Sequence, residues 1–101
     1  MQRLSAKSNE ALFTASGLNE EGLRLEHAGD LPGAMEKYRK AVDLGQTRYG
    51  FRLNYALVLC RIEKWQDGIA QLQEVLREDP DNADAAKALL IAQEEAAKKH
   101  R

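Results

Sequence analysis

At 101 residues the chain has room for one small domain and little more. With 44% hydrophobic and 31% charged residues it can bury a core under a solvated surface, and 2 prolines are too few for a disordered linker. The 15 basic and 16 acidic residues sum to a net charge of −1, without the basic surplus of a protein that lives on phosphate contacts.

The chain opens on an N-terminal segment, residues 1–14, in which Leu4, Ala11, Leu12 and Phe13 predict a short amphipathic capping helix after Ser8. Residues 16–28 then place Leu18, Gly22, Leu25 and Ala28 at helical spacing, with Ser16 as N-cap and Gly29 as a left-handed terminator. Asp30 is set to cap a helix over 31–44, with Pro32 in its first turn and Gly45 at its end. A third helix is predicted over 49–62 through Phe51, Tyr55, Ala56, Leu59 and Ile62. Glu63-Lys64 form a tight turn into a fourth, 66–78, with Ile69, Leu72, Val75 and Leu76 on one face. Asp79-Pro80-Asp81-Asn82 stops it, because proline disfavours helix in the residue before it. Asp81 or Asn82 caps a last helix over 83–98, and Lys98-Lys99-His100-Arg101 suits the negative end of its dipole. No segment reads as a strand. Short loops between helices of this length imply antiparallel helical hairpins.

Sliding the chain by 34 residues reveals an internal repeat. Gly22 falls on Ala56, Leu25 on Leu59, Leu31 on Trp65, Ala34 on Gly68, Tyr38 on Leu72, Ala41 on Val75 and Val42 on Leu76. Small residues overlie small ones and large apolar residues overlie large ones. Such a match follows from a shared packing geometry: small residues let helix axes approach, and Tyr38, Leu72 and Trp65 fill the remaining space.

On these residues the chain resembles the tetratricopeptide repeat (TPR), a 34-residue helix–turn–helix unit. Leu18, Gly22, Leu25, Gly29-Asp30, Leu31, Ala34, Tyr38 and Ala41 match the pattern in residues 15–48. Tyr55-Ala56, Leu59, Trp65, Gly68, Leu72, Val75 and Pro80 match it in residues 49–82. Residues 83–101 look like the solvating helix that closes such arrays. Glu21, Gln46, Arg52 and Glu63 depart from the pattern. The resemblance implies an all-α fold: antiparallel hairpins stacked as a right-handed TPR-like superhelix with a C-terminal capping helix, in one domain. It further implies a non-catalytic scaffold for protein–protein interaction, which takes a protein or peptide partner in a concave groove lined by the first helix of each repeat. Carried over position by position, that groove comprises Asn19, Leu23, His27, Leu53, Asn54, Leu57, Arg61, Lys87 and Ile91, with Glu20, Glu26, Cys60, Asp84, Ala88 and Glu95 beside them. Leu23, Leu53, Leu57 and Ile91 form an apolar strip, the kind of feature that marks binding surfaces. Family members that clamp a C-terminal carboxylate need asparagine, lysine and arginine at several groove positions. Only Asn54 fits here, and Leu23, Asp84 and Ala88 stand at the others.

The remaining chemistry-bearing residues read as structural. Cys60 has no base and acid in pattern around it, and the spacing of His27, Cys60 and His100 suits no metal. Glu20-Glu21 and Glu94-Glu95 are solvated helix faces, His27 caps a dipole, and Tyr38 and Trp65 are packing residues. No cofactor motif, enzyme site or glycine-rich phosphate loop is present, so a cofactor-free, non-enzymatic role is expected. The lone cysteine, an N-terminus without a signal-like apolar core and the lack of a membrane-length apolar run set a cytoplasmic expectation with no membrane partner. Three other readings compete with a ligand groove. Two repeats make a short array, so Leu12 and Phe13 could fold back over Leu23, Leu53 and Leu57 as a cap, or the groove or the N-terminal segment could instead serve homo-oligomer formation. A base-reading helical repeat is disfavoured, because that family has a period about one residue longer and a basic groove, whereas this one carries Glu20, Glu26 and Asp84.

Overall fold

The structure, a computed structural model, describes residues 14–44 and 50–99. Among these residues there are five helices and no strand: α1 (Ala15–His27), α2 (Leu31–Asp43), α3 (Phe51–Arg61), α4 (Trp65–Glu78) and α5 (Ala83–Lys99). The expected N-terminal helix, the closure by Gly45, the departure at Gln46 and the last two residues of the basic tail lie outside the described residues. Two compact units divide the chain, the first reaching to Phe51 and the second starting at Arg52.

In the first unit α1 and α2 form a hairpin. The N-cap is Thr14 rather than Ser16, its hydroxyl accepting the Gly17 N–H at 3.0 Å. The helix starts this early because Ala15 is fully buried and packs with Leu18, Ala41 and Phe51. Asp30 caps α2 as its sequence suggests, its Oδ1 accepting the Gly33 N–H at 3.0 Å, with Pro32 in the first turn where no N–H is missed. Ala34, Tyr38 and Ala41 are fully buried on one stripe. Tyr38 packs against Gly22, where an added Cβ would stand 2.6 Å from the ring's Cδ1. The small–aromatic–small stripe of α2 is therefore matched by a glycine notch in α1. The Tyr38 hydroxyl emerges at the edge and donates to Glu26 Oε1 at 2.6 Å, so the buried ring keeps its polar end satisfied. Lys37 and Glu21, one of the departures from the repeat pattern, pair across the same hairpin at 3.4 Å.

The second unit holds α3, α4 and α5 around Ala56, Leu72, Val75, Ala85 and Ala92. Leu53, Trp65, Ile69, Leu76 and Leu89 pack against that cluster from its margins. Gly68 is the close-approach point: a Cβ there would stand 2.6 Å from Cys60 Sγ and 3.4 Å from the Ala56 carbonyl. Asn82, not Asp81, caps α5, its Oδ1 accepting the Ala85 N–H at 2.9 Å. Arg52 stands where the repeat pattern has a large apolar residue. Its Nη1 donates to Gln71 at 2.6 Å, and its Nε lies 3.8 Å from Glu78.

The 34-residue period extends to the backbone of the two hairpin turns. After α1, the N–H groups of Ala28, Gly29 and Asp30 donate to the carbonyls of Arg24, Glu26 and Leu25 at 3.0, 3.0 and 2.9 Å. After α3, those of Ile62, Glu63 and Lys64 donate to Val58, Cys60 and Leu59 at 3.1, 3.0 and 2.8 Å. Every donor and acceptor of the second set lies 34 residues beyond its counterpart. Both ends are Schellman turns, in which the residue past the cap is left-handed. Gly29 takes φ +87° and Glu63 takes φ +64°. Asp30 and Lys64, which follow them, share nearly the same backbone angles, (−87°, 78°) and (−86°, 68°).

Candidate interaction surface

The residues expected to line a binding face fall on three helical stripes. Asn19, Leu23 and His27 lie four apart on α1 in the first unit. Leu53, Leu57 and Arg61 lie four apart on α3, with Asn54 beside them, and Lys87 and Ile91 lie four apart on α5, both in the second unit. The three stripes share one register, so that Leu23, Leu57 and Ile91 stand 34 residues from one another. The sequence could have shown this equivalence, since all three positions are large and aliphatic.

Exposure separates these residues. Leu23 is 39% exposed and Ile91 50%, far more than a large aliphatic side chain of a small core. His27, Arg61 and Lys87 are exposed, and Asn54 and Leu57 are half-buried. Asn19 is buried, and Leu53, also only half-exposed, packs on the core of the second unit. Glu26 holds the Tyr38 hydroxyl, which ties its carboxylate to the hairpin. Exposed apolar surface at these positions is thus Leu23 in the first unit and Ile91 in the second, with Leu57 half-buried in the second.

Cys60 is half-buried over Gly68, and its burial pushes the thiol pKa above the ordinary value. A thiol held protonated in this way is a poor nucleophile at neutral pH. Among the described residues no three His, Cys, Asp or Glu side chains gather as a metal ion would require, and no described helix is long and apolar enough to cross a membrane.

Two features escaped sequence reasoning. One is a cleft of about 410 Å³ where the start of α4 meets the end of α5, bounded by Glu63, Trp65, Asp67, Ala96 and Lys99. Lys99 and Glu63 pair at 3.1 Å beside it. Trp65 packs its ring on the core, yet its indole N–H is buried and meets no acceptor among the described residues. Nothing in the spacing of these residues announces the cleft. The other is Leu90, 64% exposed on α5 and not among the expected groove residues. Its signal was available: Ala83, Ala86, Leu90 and Ala97 form an apolar stripe on the side of α5 away from Ala85, Ala92 and Ala96.

Neither a family model nor a curated protein matches this sequence.

Proposed function

We propose that the chain is a non-catalytic protein–protein interaction module of the tetratricopeptide kind, which holds a peptide or partner helix against the first helices of its repeats. One observation carries this reading: Leu23, Leu57 and Ile91 occupy a single register position in α1, α3 and α5, and none of them is buried, Leu23 and Ile91 being exposed and Leu57 half-buried. A side chain that served only the core would be buried at that position. The duplicated turns support the repeat assignment, since α1–α2 and α3–α4 share hydrogen bonds and left-handed residues 34 positions apart. In this reading the hairpins stack as a right-handed superhelix, α5 closes it, and polar neighbours such as Asn54, His27 and Arg61 orient the ligand while the aliphatic positions supply contact area.

The test is selection from a peptide library displayed on phage, with the full chain as bait. A shared motif should emerge, and Leu23→Glu or Ile91→Glu should each weaken its binding at least tenfold, about 1.4 kcal/mol. Leu44→Glu, an equally exposed leucine outside the stripes, should leave it unchanged. Absence of any enriched motif, or equal losses in all three variants, rejects the groove.

A further inference from the structure

We propose that the outward face of α5 joins two copies of this chain through an antiparallel helix pair. On a heptad count, Ala83, Leu90 and Ala97 share one position and Ala86 lies on the adjacent seam position. All four are exposed, Leu90 at 64%, while the opposite side of α5 carries the buried Ala85, Ala92 and Ala96. Leucine between alanines lets a second helix come close and gives it one large side chain to cover.

The charges beside the stripe specify which helix that is. Lys87 and Glu94 stand seven residues apart on the same flank, both exposed. Among the described residues neither is ion-paired. In an antiparallel pair with the two-fold axis beside Leu90, Leu90 meets Leu90 of the second copy and Ala83 meets its Ala97. Lys87 then lies next to Glu94 of the second copy, and Glu94 next to its Lys87. Symmetry makes both pairs at once, as an isologous interface must. In a parallel pair the same flank would face Leu89 and Ala96, which offer no charge. The face is complementary to itself in one orientation only, and that orientation also opposes the two helix dipoles.

The interface is small. A helix of 17 residues is about 25 Å long, so the pair covers well under the roughly 800 Å² per partner of a standard interface. Association is therefore weak and reversible, with half-dimerisation expected at about 10–500 µM.

Sedimentation of the full chain from about 5 µM to 1 mM tests this, with helix content checked by circular dichroism. Wild type should shift from one copy to two. Leu90→Gln should abolish the shift. Lys87→Glu and Glu94→Lys should each weaken association at least tenfold, by leaving like charges opposed, and the double variant K87E/E94K should recover to within about threefold of wild type. A wild type that stays at one copy throughout overturns the proposal and leaves the face to a different occupant. So does association that survives Leu90→Gln, or a double variant no better than the single ones. The groove variant Leu23→Glu and its control Leu44→Glu lie outside this face and should dimerise as wild type, which keeps the two proposals separable.

Discussion

Two glycines do the same work against neighbours of different compliance. The space above Gly22 is filled by Tyr38, a fully buried ring whose hydroxyl is held by Glu26. The space above Gly68 is filled by Cys60 Sγ, a single atom on a half-buried side chain. Gly22→Ala should therefore destabilise by about 1–3 kcal/mol, the range for overpacking against a neighbour that cannot move. Gly68→Ala should cost less, because a thiol can rotate away and alanine gains about 1 kcal/mol of helix propensity. In a Cys60→Ala background the gain should dominate and Gly68→Ala should stabilise. Urea denaturation of the four chains (wild type, two single variants and the double) measures the coupling directly, and additivity of Gly68→Ala with Cys60→Ala would show that Sγ is not the obstacle. The notch at Gly68 was legible in the sequence, since a glycine inside a strong helix pattern asks for a close contact. That its partner is Cys60 was not, because a cysteine at helical spacing looks the same whether it faces the core or a neighbouring glycine.

At the scale of the element, the hairpin turns test whether the repeat is a matter of backbone or of side chains. The turn geometry is conserved across the 34-residue period although glycine stands at one position and glutamate at the other. A left-handed conformation costs an L-residue about 1–2 kcal/mol; glycine escapes that cost but gives up roughly 0.5–1 kcal/mol of the advantage through its greater freedom in the unfolded chain. Gly29→Ala should consequently lower the melting temperature by several degrees, on a scale where 1 kcal/mol moves a domain of this size by about 4–8 °C. Glu63→Gly should raise it, by less than the relief of strain, because glycine's freedom in the unfolded chain takes back about 0.5–1 kcal/mol and the exposed pair with Lys99, worth at most about 1 kcal/mol, is lost. A fall on Glu63→Gly would mean that the pair and the added chain entropy together outweigh the strain. Gly29-Asp30 announced the first turn to any reader of the sequence. The second was expected from Glu63-Lys64 by position alone, because no propensity favours glutamate at positive φ and only the packing of α3 and α4 forces it. Thr14 shows the same limit: two hydroxyl residues can both cap a helix, and burial of Ala15 decides between them.

At the scale of the whole molecule, the helices, their order and their period were legible because each rests on a repeated spacing. The exposure of the candidate surface was not, since Leu23 and Leu53 differ little in sequence context and yet one is open to solvent and the other packs on a core. Charge is the whole-molecule property that bears most on partner class. Net charge is −1, and among the described residues several cations are paired with carboxylates where they stand. Arg39 is held by Glu36 and Asp43 at 2.9 Å each, Lys37 by Glu21 at 3.4 Å, and Lys98 by Glu95 at 3.2 Å. Arg77 pairs with Glu74, and Lys99 with Glu63. A protein that grips nucleic acid must release counterions by placing several unpaired cations along the phosphates, and its affinity then falls steeply with salt. Here each paired cation would first have to leave a carboxylate. We accordingly expect the chain to pass unretained over immobilised single-stranded RNA at about 0.15 M salt, where non-specific binders of the basic kind still bind at about 10⁻⁴–10⁻⁶ M. Retention that weakened with added salt would instead place the partner among nucleic acids and count against a peptide ligand.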